Sequence, residues 1–218
     1  MEHTRLRNLL LIFFCTTLVL ALSACGSSGD SGQGGGGQES QDQGGNQQAQ
    51  SSGEQETSER PEAPEDTTLT VTVPEMQNVN NAEVPNVPYT QEAIDSGVAE
   101  QALRNHAAIH VDSTGYPWEE EANVYLAGHA LGYQGTPSWH AFRDLGQLQE
   151  GDKVLVEDAN GTEYTYEVFR ESFVVDPTDV DVIQPEEGRN ILSLQSCTLP
   201  DYERRVIVQA ELTETTPA

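Results

Sequence analysis

Cys197, His129 and Arg205 are the residues whose types and positions in this sequence suit nucleophilic chemistry. Cys197 ends an apolar segment, residues 191–197, that is typical of a buried strand, and a Pro-Asp turn follows it closely. A cysteine attacks as its thiolate, so it needs a base or a cation beside it and a donor for the oxyanion that forms. The rest of the chain must therefore bring a histidine and a cationic group to this strand end.

Four histidines lie in the part of the chain predicted to fold, and His129 is the best placed of them. It follows an Ala-Gly pair at the end of a predicted strand, where a side chain projects from the rim of a sheet and glycine permits close approach. His110 lies within a strand and is expected to be packed, whereas His106 and His140 lie in helix or loop and are expected to be solvated. Taken alone, His129 fits a site residue and an ordinary strand-end histidine equally well.

Strand parity separates the two candidate arginines, Arg204 and Arg205. Successive side chains of a strand point to opposite faces, and the apolar alternation from Val206 onward places Arg205 on the polar face. Cys197 lies on the polar face of its own strand, so a turn near Asp201 sets it opposite Arg205. Arg204 is then a flanking or surface charge. That both arginines merely solvate the start of a strand remains the alternative.

The elements that must position these residues are mainly strands. They are predicted over residues 69–73, 107–111, 123–128, 153–157, 164–175, 190–197 and 204–212. Asn160-Gly161 is a tight-turn signal between two of them, residues 91–105 predict a short helix weakened by Gly97, and residues 75–90 and 177–188 predict loops. Seven or eight strands with little helix indicate a mainly β fold, a mostly antiparallel closed sheet or barrel.

Residues 1–25 are predicted to be a lipoprotein signal peptide. Arg5 and Arg7 precede an apolar run that is short for a membrane span of about 20 residues, and the run closes on a Leu-Ser-Ala-Cys box with Cys25 as the lipidated residue. An uncleaved membrane helix is the alternative, and both place the protein at the outer face of the bacterial membrane. Cys15 would leave with the signal, so Cys197 would be the one free thiol in a compartment where structural cysteines normally pair.

Residues 26–66 form a Gly, Ser, Gln and Glu-rich segment that is predicted to be a disordered tether, and residues 67–218 form the predicted folded domain. The formal net charge is −26, from 36 acidic and 10 basic residues. Nucleic acid is therefore excluded as a partner, because phosphates need a basic surface. No acidic loop has the alternating oxygen ligands of a calcium-binding helix-loop-helix, so no metal or other cofactor is predicted.

Three stretches together resemble the sortase family of cysteine transpeptidases. They are Leu126-Ala127-Gly128-His129, Ser193-Leu194-Gln195-Ser196-Cys197 and Arg205-Val206-Ile207-Val208. The order histidine, cysteine, arginine matches that family, and the likeness extends over residues 69–212. The Cys-Thr-Leu-Pro continuation and the Val-Tyr-Leu-Ala-Gly-His approach most resemble the actinobacterial class E type.

The resemblance implies a closed, eight-stranded antiparallel or mixed β-barrel and a transpeptidase or hydrolase activity. Cys197 would attack a Thr-Gly-type bond in the C-terminal sorting signal of a surface protein and form a thioacyl enzyme. An amine of a cell-wall precursor or of a pilin lysine would then release the acyl group. In this scheme His129 acts as acid and base, and Arg205 stabilises the substrate and the oxyanion.

The sequence departs from the family at several points, and other functions compete. Ser193 and Ser196 replace threonines, Ala130 stands where relatives often have arginine, and a lipid anchor is unusual for sortases. A papain-like protease would place its cysteine before its histidine. An L,D-transpeptidase expects a Ser-His-Gly-Cys motif that is missing before Cys197. A binding lipoprotein on a sortase scaffold is the non-enzymatic alternative.

Overall fold

The computed structural model describes residues 60–218. The predicted signal peptide, its lipidation site and most of the predicted tether therefore lie outside the described residues. The last part of that segment, residues 60–66, lies against the domain, since Arg60 forms an exposed ion pair with Glu120 at 2.7 Å and Pro64 is buried.

Ten strands and two α-helices make up the regular structure of the described chain. In chain order they are β1 (Leu69–Thr72), β2 (Ala82–Val84), β3 (Asn86–Val87), α1 (Gln91–Asp95), α2 (Val98–Asn105), β4 (Ile109–Val111), β5 (Ala122–Ala127), β6 (Lys153–Glu157), β7 (Glu163–Val168), β8 (Phe173–Val175), β9 (Asn190–Cys197) and β10 (Arg205–Thr216). Single 3₁₀ turns occupy Leu145–Gln147 and Asp181–Ile183. None of the helices within residues 60–218 is long and apolar enough to cross a membrane.

All ten strands belong to one sheet, which curls into a nearly closed barrel. Its order is β2-β1-β6-β7-β10-β9-β5-β4-β3, and β8 pairs with β10 beyond the end of β7. The two outermost strands, β2 and β3, are consecutive in the chain and are separated only by Pro85. The backbone therefore links the two ends of the sheet. Most pairs are antiparallel, and β3–β4 and β5–β9 are parallel.

The interior of the barrel is filled from one face of each central strand. Alternate residues of β5, β9 and β10 point inward and are at most 1% exposed: Ala122, Val124, Leu126, Leu192, Leu194, Val208 and Ala210. Each buried leucine or valine side chain contributes roughly 1.5–3 kcal/mol to folding. Because this face is committed to the core, the intervening residues of the same strands must point out of the barrel, and Cys197 is among them.

The predicted mainly β barrel is confirmed, and the structure has two strands more than the eight expected. Residues 75–90, predicted as loop, contain β2 and β3, which are three and two residues long and flank a proline. Such short strands carry no readable alternation. The single strand predicted over 164–175 is two strands. Four residues, 169–172, lie opposite only two of β10 between the Val168–Ala210 and Phe173–Ile207 pairs, so the strand bulges and breaks.

The predicted helix over residues 91–105 is two short helices. Thr90 caps α1 by accepting a hydrogen bond from the Ala93 N–H at 3.2 Å. Gly97 separates α1 from α2 with a φ of +76°, a left-handed conformation that glycine adopts without steric cost. The chain can therefore change direction between the helices, and α2 packs near the end of β5.

Candidate active site

Cys197 and Arg205 lie side by side on the outer face of the sheet. β9 ends at Cys197, β10 begins at Arg205, and the antiparallel register sets the two residues directly opposite each other. On the other edge of β10, Val175 of β8 lies opposite Arg205. Opposed residues of antiparallel strands project to the same face. Cys197 is half-buried and is the free cysteine of residues 60–218.

The turn between β9 and β10 fixes this register. The Thr198 hydroxyl donates to Asp201 Oδ1 at 2.9 Å, and the Glu203 N–H donates to the same oxygen at 3.2 Å. These hydrogen bonds hold the pKa of the Asp201 carboxyl below its usual range, and the bond from Glu203 has the largest effect. The carboxylate therefore bonds to both sides of the turn and helps to keep Cys197 and Arg205 opposite each other.

His129 follows β5, which runs parallel to β9, so it lies at the same end of the sheet as Cys197. The Gly128 N–H donates to the Gln195 carbonyl at 3.0 Å, and the Ser196 hydroxyl donates to the Gly128 carbonyl at 3.0 Å. His129 and Cys197 are the next residues along these two joined strands. Neighbouring strands lie about 4.8 Å apart, so the structure brings the imidazole and the thiol to adjacent strand ends.

Gly128 is needed for this approach. A Cβ at this position would lie 2.7 Å from the Ala107 carbonyl oxygen and 2.9 Å from the Phe142 ring. Both neighbours are buried, so they have little room to shift. The small residue before His129 therefore lets the end of β5 enter the packed barrel, as the Ala-Gly-His sequence predicts.

The His129 ring is held between α2 and the loop after β5. Its Nε2 atom is shielded from solvent and has no hydrogen-bond partner among residues 60–218. The Glu100 carboxylate of α2 lies 3.7 Å from that nitrogen. Tyr133 meets the imidazole edge-on at a centroid distance of 5.8 Å and donates its hydroxyl to Glu100. The Arg104 guanidinium stacks 3.9 Å above the Tyr133 ring.

Arg204 and Arg205 have different surroundings. Arg204 forms an exposed ion pair with Asp176 at 3.5 Å and donates to the Val174 carbonyl at 3.2 Å. Arg205 donates at 3.2 Å to the carbonyls of Tyr202 and Arg204, and within residues 60–218 it has no carboxylate partner. The Arg205 guanidinium lies beside the thiol without a neutralising carboxylate among these residues. Its positive charge can therefore interact with an incoming anionic or carbonyl oxygen.

An apolar cluster lies on the outer face of the sheet, on the same face as Cys197. Its residues come from β4, β5, β10, β8 and the acidic loop: Val111, Tyr125, Ile207, Phe173, Val175, Val182 and Ile183. A cavity of about 300 Å³ opens beside it, bounded in part by Phe173, Val175 and Val182. β8 and the acidic loop therefore pack onto this face of the sheet.

Comparison with known proteins identifies the family of this chain. The chain matches the sortase domain over residues 72–213, well over half of its length. The chain belongs to the sortase family. Sortase A of Streptococcus agalactiae serotype III (strain NEM316) is 37% identical over 94 residues, which are 43% of this chain and 37% of that relative. The match thus spans little more than a third of that sortase.

Solved sortase structures share the fold at low sequence identity. Sortase C-1 of Actinomyces oris has a TM-score of 0.54 at 22% identity and covers 67% of this chain and 73% of its own. Sortase A of Corynebacterium diphtheriae has a TM-score of 0.54 at 19% identity over 71% and 63% of the two chains. The sortase D5 transpeptidase of Clostridium perfringens has a TM-score of 0.51 at 22% identity over 68% and 80%.

Polar side chains are linked on the outer face of the sheet of this sortase. The Tyr125 hydroxyl donates to Gln195 Oε1 at 2.7 Å, and Gln209 Nε2 donates to the Ser193 hydroxyl at 3.0 Å. Arg170 in turn donates to the Gln209 amide oxygen. Burial raises the pKa of Tyr125, with nearby Arg205 acting in the opposite direction. The phenol is therefore neutral at physiological pH and orients the Gln195 amide.

The acidic loop of residues 177–188 is bonded to the outer face of the barrel. The buried Asn123 amide donates from Nδ2 to the Val182 and Gln184 carbonyls at 2.8 and 3.0 Å. Arg189, at the end of the loop, pairs with Glu186 at 2.6 Å and with Glu211 at 2.8 Å. These bonds hold the loop against the sheet.

The sequence missed the groups around the catalytic candidates. Glu100 and Tyr133 lie beside His129 only because α2 folds against β5, and no local pattern predicts that contact. Tyr125 and Gln195 lie in predicted strands and on the same face as Cys197, so strand parity contained the signal for them. Within residues 60–218, no group of three or more histidine, cysteine or acidic side chains is placed to hold a metal ion.

Proposed function

We propose that this sortase is a cysteine transpeptidase that uses Cys197 to cleave a C-terminal sorting signal and joins the freed carbonyl to an amine. The observation that carries the proposal is the register that sets Cys197 opposite Arg205 while parallel pairing brings His129 to the same end of the sheet. Membership of the sortase family supports it.

The first half-reaction is acyl transfer to sulfur. The Cys197 thiolate attacks the carbonyl carbon of a Thr-Gly-type bond, and the negative charge that develops on oxygen faces the Arg205 guanidinium. His129 donates a proton to the leaving amine as the C–N bond breaks. A thioester on Cys197 and a free glycine-type amine result.

The second half-reaction returns the thiol. The amine of a cell-wall precursor or of a pilin lysine attacks the thioester carbonyl, and His129 takes the proton that the new amide nitrogen loses. The C–S bond breaks, and Cys197 leaves as a thiolate. With water in place of the amine, the same steps give hydrolysis.

The site of action follows from the sequence pattern of residues 1–66. We propose that the protein is anchored by a lipid on Cys25 at the extracytoplasmic face of the membrane and that residues 26–66 connect it to the barrel. Surface proteins with a sorting signal are then its substrates. The class E likeness of the His129 and Cys197 stretches favours an actinobacterial-type signal.

The test is covalent trapping on the full-length protein. We expect a peptide from a panel of sorting-signal motifs to add its acyl part to Cys197, measured as a mass shift localised to that residue. The Cys197→Ala variant should form no adduct and cleave no peptide. Cleavage that survives in Cys197→Ala would contradict the mechanism, and a wild-type protein that binds peptides without forming an adduct would favour the binding lipoprotein.

A further inference from the structure

We propose that Glu100 is a positioning residue for His129, holding the imidazole in orientation. The inference rests on the proposed function for its catalytic consequence. It starts from the 3.7 Å separation of the Glu100 carboxylate and His129 Nε2, the atom that is shielded from solvent and lacks a hydrogen-bond partner among residues 60–218. A shielded ring nitrogen is costly to leave unpaired, and among the described residues Glu100 is the carboxylate within 4 Å of it.

The carboxylate is itself held in place. Tyr133 donates its hydroxyl to Glu100 while its ring edge meets His129, and Arg104 stacks on the other side of the Tyr133 ring. A Glu100 side chain free to rotate would be solvated instead. The histidine, the tyrosine, the carboxylate and the guanidinium therefore form one connected cluster between α2 and the loop after β5.

The titratable and charged groups near His129 come from several elements. Glu100 and Arg104 lie on α2, Tyr133, His140, Arg143 and Asp144 lie in the segment after β5, and Asp201, Glu203, Arg204 and Arg205 follow Cys197. Among residues 60–218, Glu100 is the carboxylate within 4 Å of the His129 ring nitrogens, and half of its side chain is exposed. It is therefore the acidic group placed to orient the imidazole.

Glu100 also lies in the first turn of α2, where any carboxylate stabilises a helix. A purely structural role would change the stability of the helix and leave kcat and the surroundings of the His129 ring unchanged. The test must therefore read the environment of the histidine as well as the rate.

The experiment compares Glu100→Gln with wild-type full-length protein. We expect the NMR signals of the His129 ring to change, because the carboxylate beside the imidazole is replaced by a neutral amide. Exposed ion pairs are weak, so kcat at neutral pH should fall by about two- to fivefold with KM unchanged. Tyr133→Phe, which keeps the ring and removes the donor, should shift both readouts in the same direction by less.

Glu83→Gln is the matched control. Glu83 belongs to β2 at the end of the sheet order and lies 3.5 Å from Nδ1 of His106, a similarly half-buried histidine. This variant should leave both kcat and the His129 ring signals unchanged. Unchanged His129 ring signals in Glu100→Gln would overturn the proposal. If the wild-type protein cleaves no peptide, the proposed function fails, whereas the His129 ring signals still decide the role of Glu100.

Discussion

His110 lies within β4, and His129 follows β5, the strand that pairs with β4. His110 is fully buried, and both ring nitrogens lie within hydrogen-bond distance of polar atoms: Nδ1 is 2.9 Å from Asn86 Oδ1, and Nε2 is 3.0 Å from the Gly115 carbonyl and 3.2 Å from the Thr114 hydroxyl. His129 is partly exposed, and its shielded Nε2 has no hydrogen bond to any described residue. The contacts of the first ring tie it to the fold, whereas Nε2 of the second ring lacks such a bond and lies beside the Glu100 carboxylate.

The arginines repeat this contrast. Arg204 is paired with Asp176 and caps a carbonyl of β8, so its charge is already used. Among residues 60–218, Arg205 bonds to carbonyls of its own turn, has no carboxylate partner and lies opposite Cys197. The arginine paired with a carboxylate therefore joins two elements, and the arginine without one lies beside the thiol. We expect this difference in bonding to distinguish candidate site residues from structural ones where residue type does not.

The largest difference between variants is expected when each of the two histidines is replaced separately by alanine. His129→Ala should lower the rate of peptide cleavage by about 10²–10⁴-fold, because general acid–base catalysis is lost, with little change in the free energy of unfolding. His110→Ala should instead lower the free energy of unfolding by about 2–4 kcal/mol, because it leaves a cavity and unpaired buried groups.

Steady-state cleavage and urea unfolding of both variants check this pair. Folded His110→Ala protein should keep most of its activity below the unfolding transition. A His129→Ala variant that unfolds as readily as His110→Ala, or that cleaves at the wild-type rate, would remove the distinction between the two histidines.

The arginines give the next largest effect. Arg205→Ala should lower kcat/KM by roughly 10²-fold, the size expected for losing a donor to a developing oxyanion. Arg205→Lys should recover only part of this, because lysine lacks the planar fork of donors. Arg204→Ala, the matched neighbour, should change kcat/KM by less than about threefold, since exposed pairs contribute little. Equal losses of kcat/KM in Arg204→Ala and Arg205→Ala would show that activity depends on the total positive charge of the turn and not on which arginine lies opposite Cys197.

Much of the site could be predicted from the sequence because it depends on local rules. The period of two in β9 and β10 places Cys197 and Arg205 on one face, and the register confirms that they are opposed. His129 is identified by its position after a strand that ends in small residues. The catalytic roles of the three residues stay predictions until variants are measured.

The remainder depends on contacts between distant parts of the chain. Glu100 reaches His129 through the packing of α2, and Asn123 reaches the acidic loop some sixty residues away. Neither contact leaves a pattern in a local window. The strands β2 and β3 were missed for the same reason, because they are defined by partners in β1 and β4 and not by their own alternation.

The smallest effect is a pH dependence of stability that His110 should impose. Burial lowers the pKa of His110 below its ordinary value of 6.5, and the hydrogen bond to Gly115 and the charge of Asp112 oppose this only in part. Below pH 6.5, the unfolded chain therefore binds a proton that the folded protein does not. The stability that neutral His110 contributes to the folded protein is complete above pH 6.5 and is lost progressively as the pH falls.

The free energy of unfolding of wild-type protein should thus fall between pH 7.5 and 5.5 by on the order of 1 kcal/mol more than that of His110→Gln. Glutamine keeps an amide for hydrogen bonding and does not titrate. The carboxyl of Glu211 has its pKa lowered by Arg189 from 4.5, so its loss of stability begins at lower pH and is common to both proteins. Urea unfolding at the two pH values isolates the histidine, because the difference between the proteins cancels every shared group. If the free energy of unfolding of His110→Gln changed with pH as much as that of wild-type protein, His110 would have the same pKa in the folded and unfolded chains. Its buried, hydrogen-bonded environment would then not set it apart from His129.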